Sequence, residues 1–250
     1  MKQQVDLNAD LGEGAAGESE LLGLVSSASI ACGFHAGDPS SITASIVSAH
    51  EAGVAVGAHP SLADRKNFGR TEMPVTAKEV FALVAYQVGA FQAMAIALGV
   101  RANHVKPHGA LYNMAARDPA LADAVAHAIL AVDSSLLIFA PEGSALARAA
   151  AAIGLPLARE VFADRNYLPN GELIPRSQPD ALLHDPKEAA ERVLRMLREE
   201  RVRAIDGSDI AIHADTICVH GDTPEAVAFA RELRAALTRA EVTVGAPRHE

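Results

Sequence analysis

The chain has 250 residues, and its 22 Lys and Arg against 31 Asp and Glu leave a formal net charge of −9. That balance gives no basic footprint for nucleic-acid phosphates or an anionic membrane surface, and with aromatics at 4% and no Trp there are few rings to stack on bases or line a sugar cleft. Half of the residues are apolar, enough for a sizeable core, while the two cysteines, Cys32 and Cys218, cannot build a disulfide framework.

The charged opening Met1-Lys2 lacks the form of a signal peptide. A cytoplasmic globular protein is expected. Short apolar runs then alternate with helical stretches along the whole chain. Strands are expected at residues 4–8, 29–34, 55–59, 102–107, 136–140, 157–163 and 216–220. Between them, apolar residues recur at helical spacing, as in Ala190, Val193, Leu194 and Leu197, or Val227, Ala230, Leu233 and Leu237. Asp38-Pro39, Asp118-Pro119, Asp185-Pro186 and Thr223-Pro224 each place a capping side chain before a proline at the first helical position.

Residues 80–100 carry no charge and approach the length of a bilayer span. Gln87, Gly89, Gln92 and Gly99 interrupt that run, and Thr76 to Glu79 forms a capping box, so a buried helix of a soluble fold is expected. Residues 164–185, with Pro169, Gly171, Pro175 and Pro179, read as a long loop after the sixth strand. No low-complexity linker divides the chain, so residues 1–250 are taken as one domain. Repeated βα units imply a parallel sheet, either open or closed as a barrel.

Ionisable residues collect at one end of these strands. The first is followed by Asp10 and Glu13, the second by His35 and Asp38, and the third ends in His59. Lys106 and His108 follow the fourth, Asp164, Arg165 and Tyr167 the sixth, and His220 and Asp222 the seventh. In parallel α/β folds that end assembles the site, because loops from several strands converge there. Carboxylates such as Asp10 and Glu13 can act as general base or hold a cation, and neutral His can carry protons or ligate metal. Lys106, Arg70, Arg165 and Arg176 are suited to gripping an anionic carboxylate or phosphate. Cys32 and Cys218 are read as small buried hydrophobes. Asp38 and Asp222 are at least partly helix caps. No P-loop, no Gly-x-Gly-x-x-Gly after the first strand and no Gly-x-Ser-x-Gly is present.

Several motifs resemble the LamB/YcsF family: Asn8-Ala-Asp-Leu-Gly-Glu13, Ala31-Cys-Gly-Phe-His-Ala-Gly-Asp-Pro39, Gly57-Ala-His-Pro-Ser61, Asp64 with Phe68-Gly-Arg70, His104-Val-Lys-Pro-His-Gly-Ala-Leu-Tyr-Asn113, Phe162-Ala-Asp-Arg165 with Tyr167, Pro175-Arg-Ser-Gln178 and Cys218-Val-His-Gly-Asp222. The resemblance runs in order from about residue 5 to about residue 245. It implies a seven-stranded parallel (β/α) barrel of the glycoside hydrolase/deacetylase type, in agreement with the seven strands expected from the sequence pattern.

It also implies the A-subunit role in ATP-dependent ring opening of 5-oxo-L-proline to L-glutamate, together with B and C subunits that share or bind the ATP. Asp10, Glu13, His35, His59, Lys106, His108 and His220 are the expected catalytic residues. Arg70, Asp164, Arg165, Tyr167, Arg176 and Asp222 are the expected substrate contacts. Two other readings stay open: a metal-dependent hydrolase in which Asp10, His59 and His108 hold a divalent cation, and a non-catalytic regulatory subunit that binds a small anion.

Overall fold

The computed structural model describes residues 4–176, 178–219 and 226–247. In chain order the elements are β1 (Gln4–Leu11), α1 (Glu18–Leu22), β2 (Ser27–Ala31), α2 (Pro39–Glu51), β3 (Ala55–His59), α3 (Ala77–Ala97), β4 (Ala102–Val105), α4 (Gly109–Arg117), α5 (Pro119–Val132), β5 (Leu137–Ala140), α6 (Ala145–Ala152), β6 (Leu157–Phe162), α7 (Pro186–Glu199), β7 (Arg201–Arg203), β8 (Asp209–Ala211), β9 (Thr216–Val219), α8 (Ala226–Arg239) and β10 (Thr243–Val244). Strands β1 to β6 pair in sequence, all parallel, and β9 follows β6. The ring closes where β9 pairs with β1, Asp6 opposite Thr216 and Asn8 opposite Cys218. This is the closed seven-stranded parallel barrel expected from the sequence.

Strand β10 adds only a two-residue extension, pairing with Gln4 and Val5 beside the point of closure. The antiparallel hairpin of β7 and β8 lies outside the ring and is not among the strands expected from the sequence. Its three-residue strands are too short to show a period, although Asp206-Gly207 between them is a turn signal. Strand β2 ends at Ala31, short of the expected Phe34, because Gly33 turns the chain with a φ of 91°. Strand β1 instead runs on to Leu11.

Alternation along β1 sorts the barrel into two environments. Val5, Leu7, Ala9 and Leu11 pack outward into the main hydrophobic core. Asp6, Asn8 and Asp10 face the barrel axis, where Thr216 of β9 meets the first two and Lys106, just past β4, meets the third. The outer ring of helices is held by the caps read from the sequence: Asp38, Asp118 and Asp185 each accept backbone N–H bonds from the first turn that follows. Thr76 and Glu79 form the expected reciprocal capping box. Thr223-Pro224 lies outside the described residues.

Helix α3 is long and apolar enough to span a bilayer by length and composition, yet it sits in the ring with Val80, Val84, Val88, Phe91 and Ala95 buried. Gln87 pins it: the amide oxygen accepts from Ser61 N–H and the amide nitrogen donates to Ser61 C=O. The helix leaves Phe81, Tyr86 and Ile96 exposed on its other side.

Candidate active site

The site is built at the C-terminal mouth of the barrel, where a cavity of about 440 Å³ is lined by Asp10, His59, Lys106 and His108, with Arg70, Arg165 and Arg176 around it. At its floor, the Lys106 ammonium donates to Asp10 Oδ1 at 2.8 Å, Asn8 Oδ1 at 3.1 Å and Cys218 Sγ at 2.9 Å. It also lies 3.0 Å from Glu160 Oε1. Burial opposes this charge, but Asp10, Cys218 and Glu160 outweigh it and hold the ammonium pKa well above the usual lysine value. Lys106 is therefore a fixed cation, positioned by strands β1, β6 and β9. Below it the ladder continues down the axis: Asn8 Nδ2 donates to Glu160 Oε1 and Thr216 Oγ1, and the Thr216 hydroxyl donates to Asp6.

Beside the ammonium stands a cluster of Glu13, His35, His59 and His108. Glu13 Oε1 is 2.9 Å from His35 Nε2, 3.4 Å from His108 Nδ1 and 3.9 Å from His59 Nε2. His59 Nε2 is 2.9 Å from His108 Nδ1 and 3.4 Å from Asp10 Oδ2. Each of these two rings has its other nitrogen on a backbone carbonyl: His59 Nδ1 on Lys106 at 2.6 Å and His108 Nε2 on Phe68 at 2.9 Å. The rings of His35 and His108 stack at 3.9 Å. Burial, followed by the neighbouring His59, pushes His35 down to about 2 and His108 well below the usual histidine range, so both are neutral at pH 7.

Two loops hold this arrangement. The Glu18 carboxylate accepts from the backbone N–H groups of Gly12, Glu13, Gly14 and Ala15 at 2.9–3.1 Å, clamping the segment that carries Glu13. Residues 64–70 fold over the histidines, with the Asp64 side chain accepting from Asn67 and Arg65 donating to Gly33 C=O and Gly37 C=O. Gly69, at a φ of 65°, lies so close to Ser61, His35 and His108 that a Cβ would collide with them. Inside β3, a Cβ on Gly57 would strike the His104 ring, which is stacked on Phe139.

Of the expected catalytic residues, Asp10, Glu13, His35, His59, Lys106 and His108 come together. His35 and Glu13 sit behind His59 and His108 rather than on the cavity wall. His220 and Asp222 lie outside the described residues. Among the expected substrate contacts, Arg70, Arg165 and Arg176 line the cavity, whereas Asp164 and Tyr167 do not. The buried Tyr167 hydroxyl accepts from Phe162 N–H, so this side chain braces the turn after β6. Arg165 is also tied into the loop through Ile174 C=O and Ala181 C=O. Burial and the nearby Arg176 lower its pKa to about 10, which leaves it charged.

Sequence reasoning missed Glu160, Glu18 and Arg192. Glu160 was signalled by period two, since it shares an inward register with Phe162 in an otherwise apolar strand. Arg192, on α7, donates to Ala163 C=O, Arg165 C=O and Asn166 Oδ1 and so fixes the start of the loop. Cys218 is buried as expected, but its sulfur contacts the ammonium rather than serving only as packing.

The donor set also fits a metal ion. One ligand atom from each of Glu13, His35, His59 and His108 lies within 4.8 Å of the others, and imidazole with carboxylate suits a first-row transition ion. Asp10, expected with His59 and His108 in the metal-hydrolase reading, is here engaged by Lys106.

Comparison with known proteins places this architecture. The A subunit of a 5-oxoprolinase from Bordetella pertussis is 51% identical over 251 residues, covering 98% of this chain and all of the relative. A lactam utilization protein from Thermus thermophilus superposes with a TM-score of 0.91 at 45% identity, covering 98% of this chain and 100% of that one. A family 4 carbohydrate esterase from Streptomyces lividans, at 12% identity and a TM-score of 0.54 over 98% of this chain and 92% of its own, shares the fold alone. The LamB/YcsF family model matches residues 5–250, and the chain belongs to that family.

Proposed function

We propose that the chain is the A subunit of a 5-oxoprolinase, opening 5-oxo-L-proline to L-glutamate at the barrel mouth. The observation that carries this reading is the buried Lys106–Asp10 pair on the floor of a cavity ringed by Arg70, Arg165 and Arg176. A cavity of about 440 Å³ suits a small ligand, and its cations suit an anionic one. The near full-length likeness to the Bordetella 5-oxoprolinase protein supports the same substrate.

A lactam carbonyl is resonance-stabilised and its nitrogen leaves poorly, so the reaction is coupled to ATP. Transfer of the γ-phosphoryl group to the lactam oxygen releases ADP and makes the ring carbon electrophilic. Water adds to that carbon, the C–N bond breaks as the nitrogen takes a proton, and an acyl phosphate remains. A second water releases phosphate and gives glutamate. Lys106 and the arginines neutralise the carboxylate and phosphoryl charges in this scheme, and Asp10, its carboxylate oriented by the ammonium, directs water as general base.

The chain carries no nucleotide motif that its sequence reveals, so the reading assigns ATP partly or wholly to B and C subunits in a cytoplasmic complex. Purified chain, alone and mixed with candidate B and C subunits, is given 5-oxoproline with and without ATP while glutamate and phosphate are measured. Glutamate is expected only with ATP and partners. ATP-dependent glutamate production by the isolated chain would overturn the division of labour, and none in any mixture would overturn the reading itself.

A further inference from the structure

We propose that Glu13, His35, His59 and His108 form a binding site for a single divalent transition-metal ion of the zinc class. A backbone carbonyl only accepts, so the contacts of His59 Nδ1 with Lys106 C=O and of His108 Nε2 with Phe68 C=O place a proton on each of those nitrogens. The other nitrogen of each ring is then the one turned toward the centre of the cluster. Those two atoms, His59 Nε2 and His108 Nδ1, face each other at 2.9 Å.

The Glu13 carboxylate sits 3.4 and 3.9 Å from them and Asp10 Oδ2 lies 3.4 Å from the first. Two ring nitrogens and two carboxylates therefore converge in one buried place. Nitrogen and oxygen atoms gathered in this way can coordinate one cation.

The dimensions fit. With metal–nitrogen bonds of about 2.0–2.1 Å, ligand atoms around one tetrahedral ion stand about 3.3 Å apart. The contacts of Glu13 Oε1 with the three imidazoles, at 2.9, 3.4 and 3.9 Å, bracket that spacing. Nitrogen donors favour zinc, cobalt, nickel or iron over magnesium and calcium, which prefer oxygen. The two carbonyl contacts already supply the outer hydrogen bonds that orient metal-binding histidines. An ion bound there would supply Lewis-acid chemistry next to Asp10.

Metal uptake is read without turnover, so its outcome is independent of the oxoprolinase reading. Full-length protein stripped with chelator is titrated with Co²⁺ while stoichiometry and visible d–d absorption are followed, and Zn²⁺ is then added in competition. One equivalent is expected, with a ligand-field band that Zn²⁺ removes and a Tm that rises with metal. Glu13→Gln and His35→Gln are each expected to weaken binding at least about tenfold. His213→Gln, which alters the exposed group of His213, Glu142 and Glu200, should leave the stoichiometry at one. The proposal is overturned if folded wild-type protein takes up no Co²⁺ at micromolar concentration, or if folded Glu13→Gln and His35→Gln both bind as wild type does. Should a variant fail to fold, the stoichiometry and absorption band of the wild-type protein decide.

Discussion

The two halves of the buried polar cluster are built from neighbouring strand ends, and they are organised around different groups. Around Lys106, the acceptors Asn8 Oδ1, Asp10 Oδ1, Glu160 Oε1 and Cys218 Sγ surround one ammonium group. Around His59, the nearest side-chain atoms belong to His108, Glu13 and Asp10. The first half is complete as the chain folds and serves to aim Asp10 into the cavity. The second half is organised just as firmly, through the clamp of Glu18 and the carbonyls of Phe68 and Lys106, and it gathers nitrogen and oxygen ligand atoms within 4.8 Å of one another. Rigid presentation of several donor atoms is what a pre-organised ligand site requires.

Removing the ammonium should break the first half with the largest effect. Lys106→Met leaves Asp10 and Glu160 buried without their cation, and breaking a buried pair in this way costs about 3–5 kcal/mol. Guanidinium unfolding should show that loss, with part of it recovered in the double variant Lys106→Met/Glu160→Gln. A single variant as stable as wild type would mean that the ammonium does not organise this half.

Replacing Asp10 with Asn keeps the size and removes the charge, so turnover in the assembled complex should fall about a hundredfold to ten-thousandfold, the usual contribution of a general base. Assembly should persist. Full activity of Asp10→Asn would remove Asp10 from the mechanism.

The parts of this design that were legible in the sequence are those with a local signature. The strand ends were visible because Asp10, His35, His59 and Lys106 each follow or close an apolar run, and the helices because Asp-Pro and Thr-x-x-Glu caps announce them. Glu160 and Glu18 were not seen, for different reasons. Glu160 sits inside a strand, where its inward register becomes evident only once β6 is paired with β9. Glu18 reads as a first-turn acid of a short helix, and its grip on four backbone N–H groups depends on how residues 12–15 curl back. Tyr167 shows the converse, a motif residue whose hydroxyl turns out to hold backbone.

Glu18 sharpens the comparison because it acts on one half only. Glu18→Ala orphans N–H groups of the loop that presents Glu13, with an expected loss of about 1–3 kcal/mol in stability. A merely structural effect would end there. As a positioning residue, Glu18 should also lower Co²⁺ affinity when replaced, although it is itself no ligand, while the Lys106 half keeps its contribution to stability. Unchanged Co²⁺ affinity in folded Glu18→Ala would separate the loop clamp from the metal site.

The smallest expected effect tests the foot of the ladder, where Asp6 accepts from Ser26, Ser27 and Thr216. Burial, working against those hydrogen bonds, pushes its carboxyl up from 3.8 to about 6. The native state then holds a proton that the unfolded chain has already released across this interval, so Asp6 contributes stability that is fully present below the unfolded value and is lost as pH rises through about 6. The slope from one such group is at most about 1.4 kcal/mol per pH unit. Asp6→Asn cannot titrate, and urea unfolding at a series of pH values should show wild type losing ground to the variant between about pH 4 and pH 6, with the difference level above that range. A difference that stays constant from about pH 4 to pH 7 would mean that Asp6 is ionised throughout, and that the three hydroxyl donors outweigh its burial.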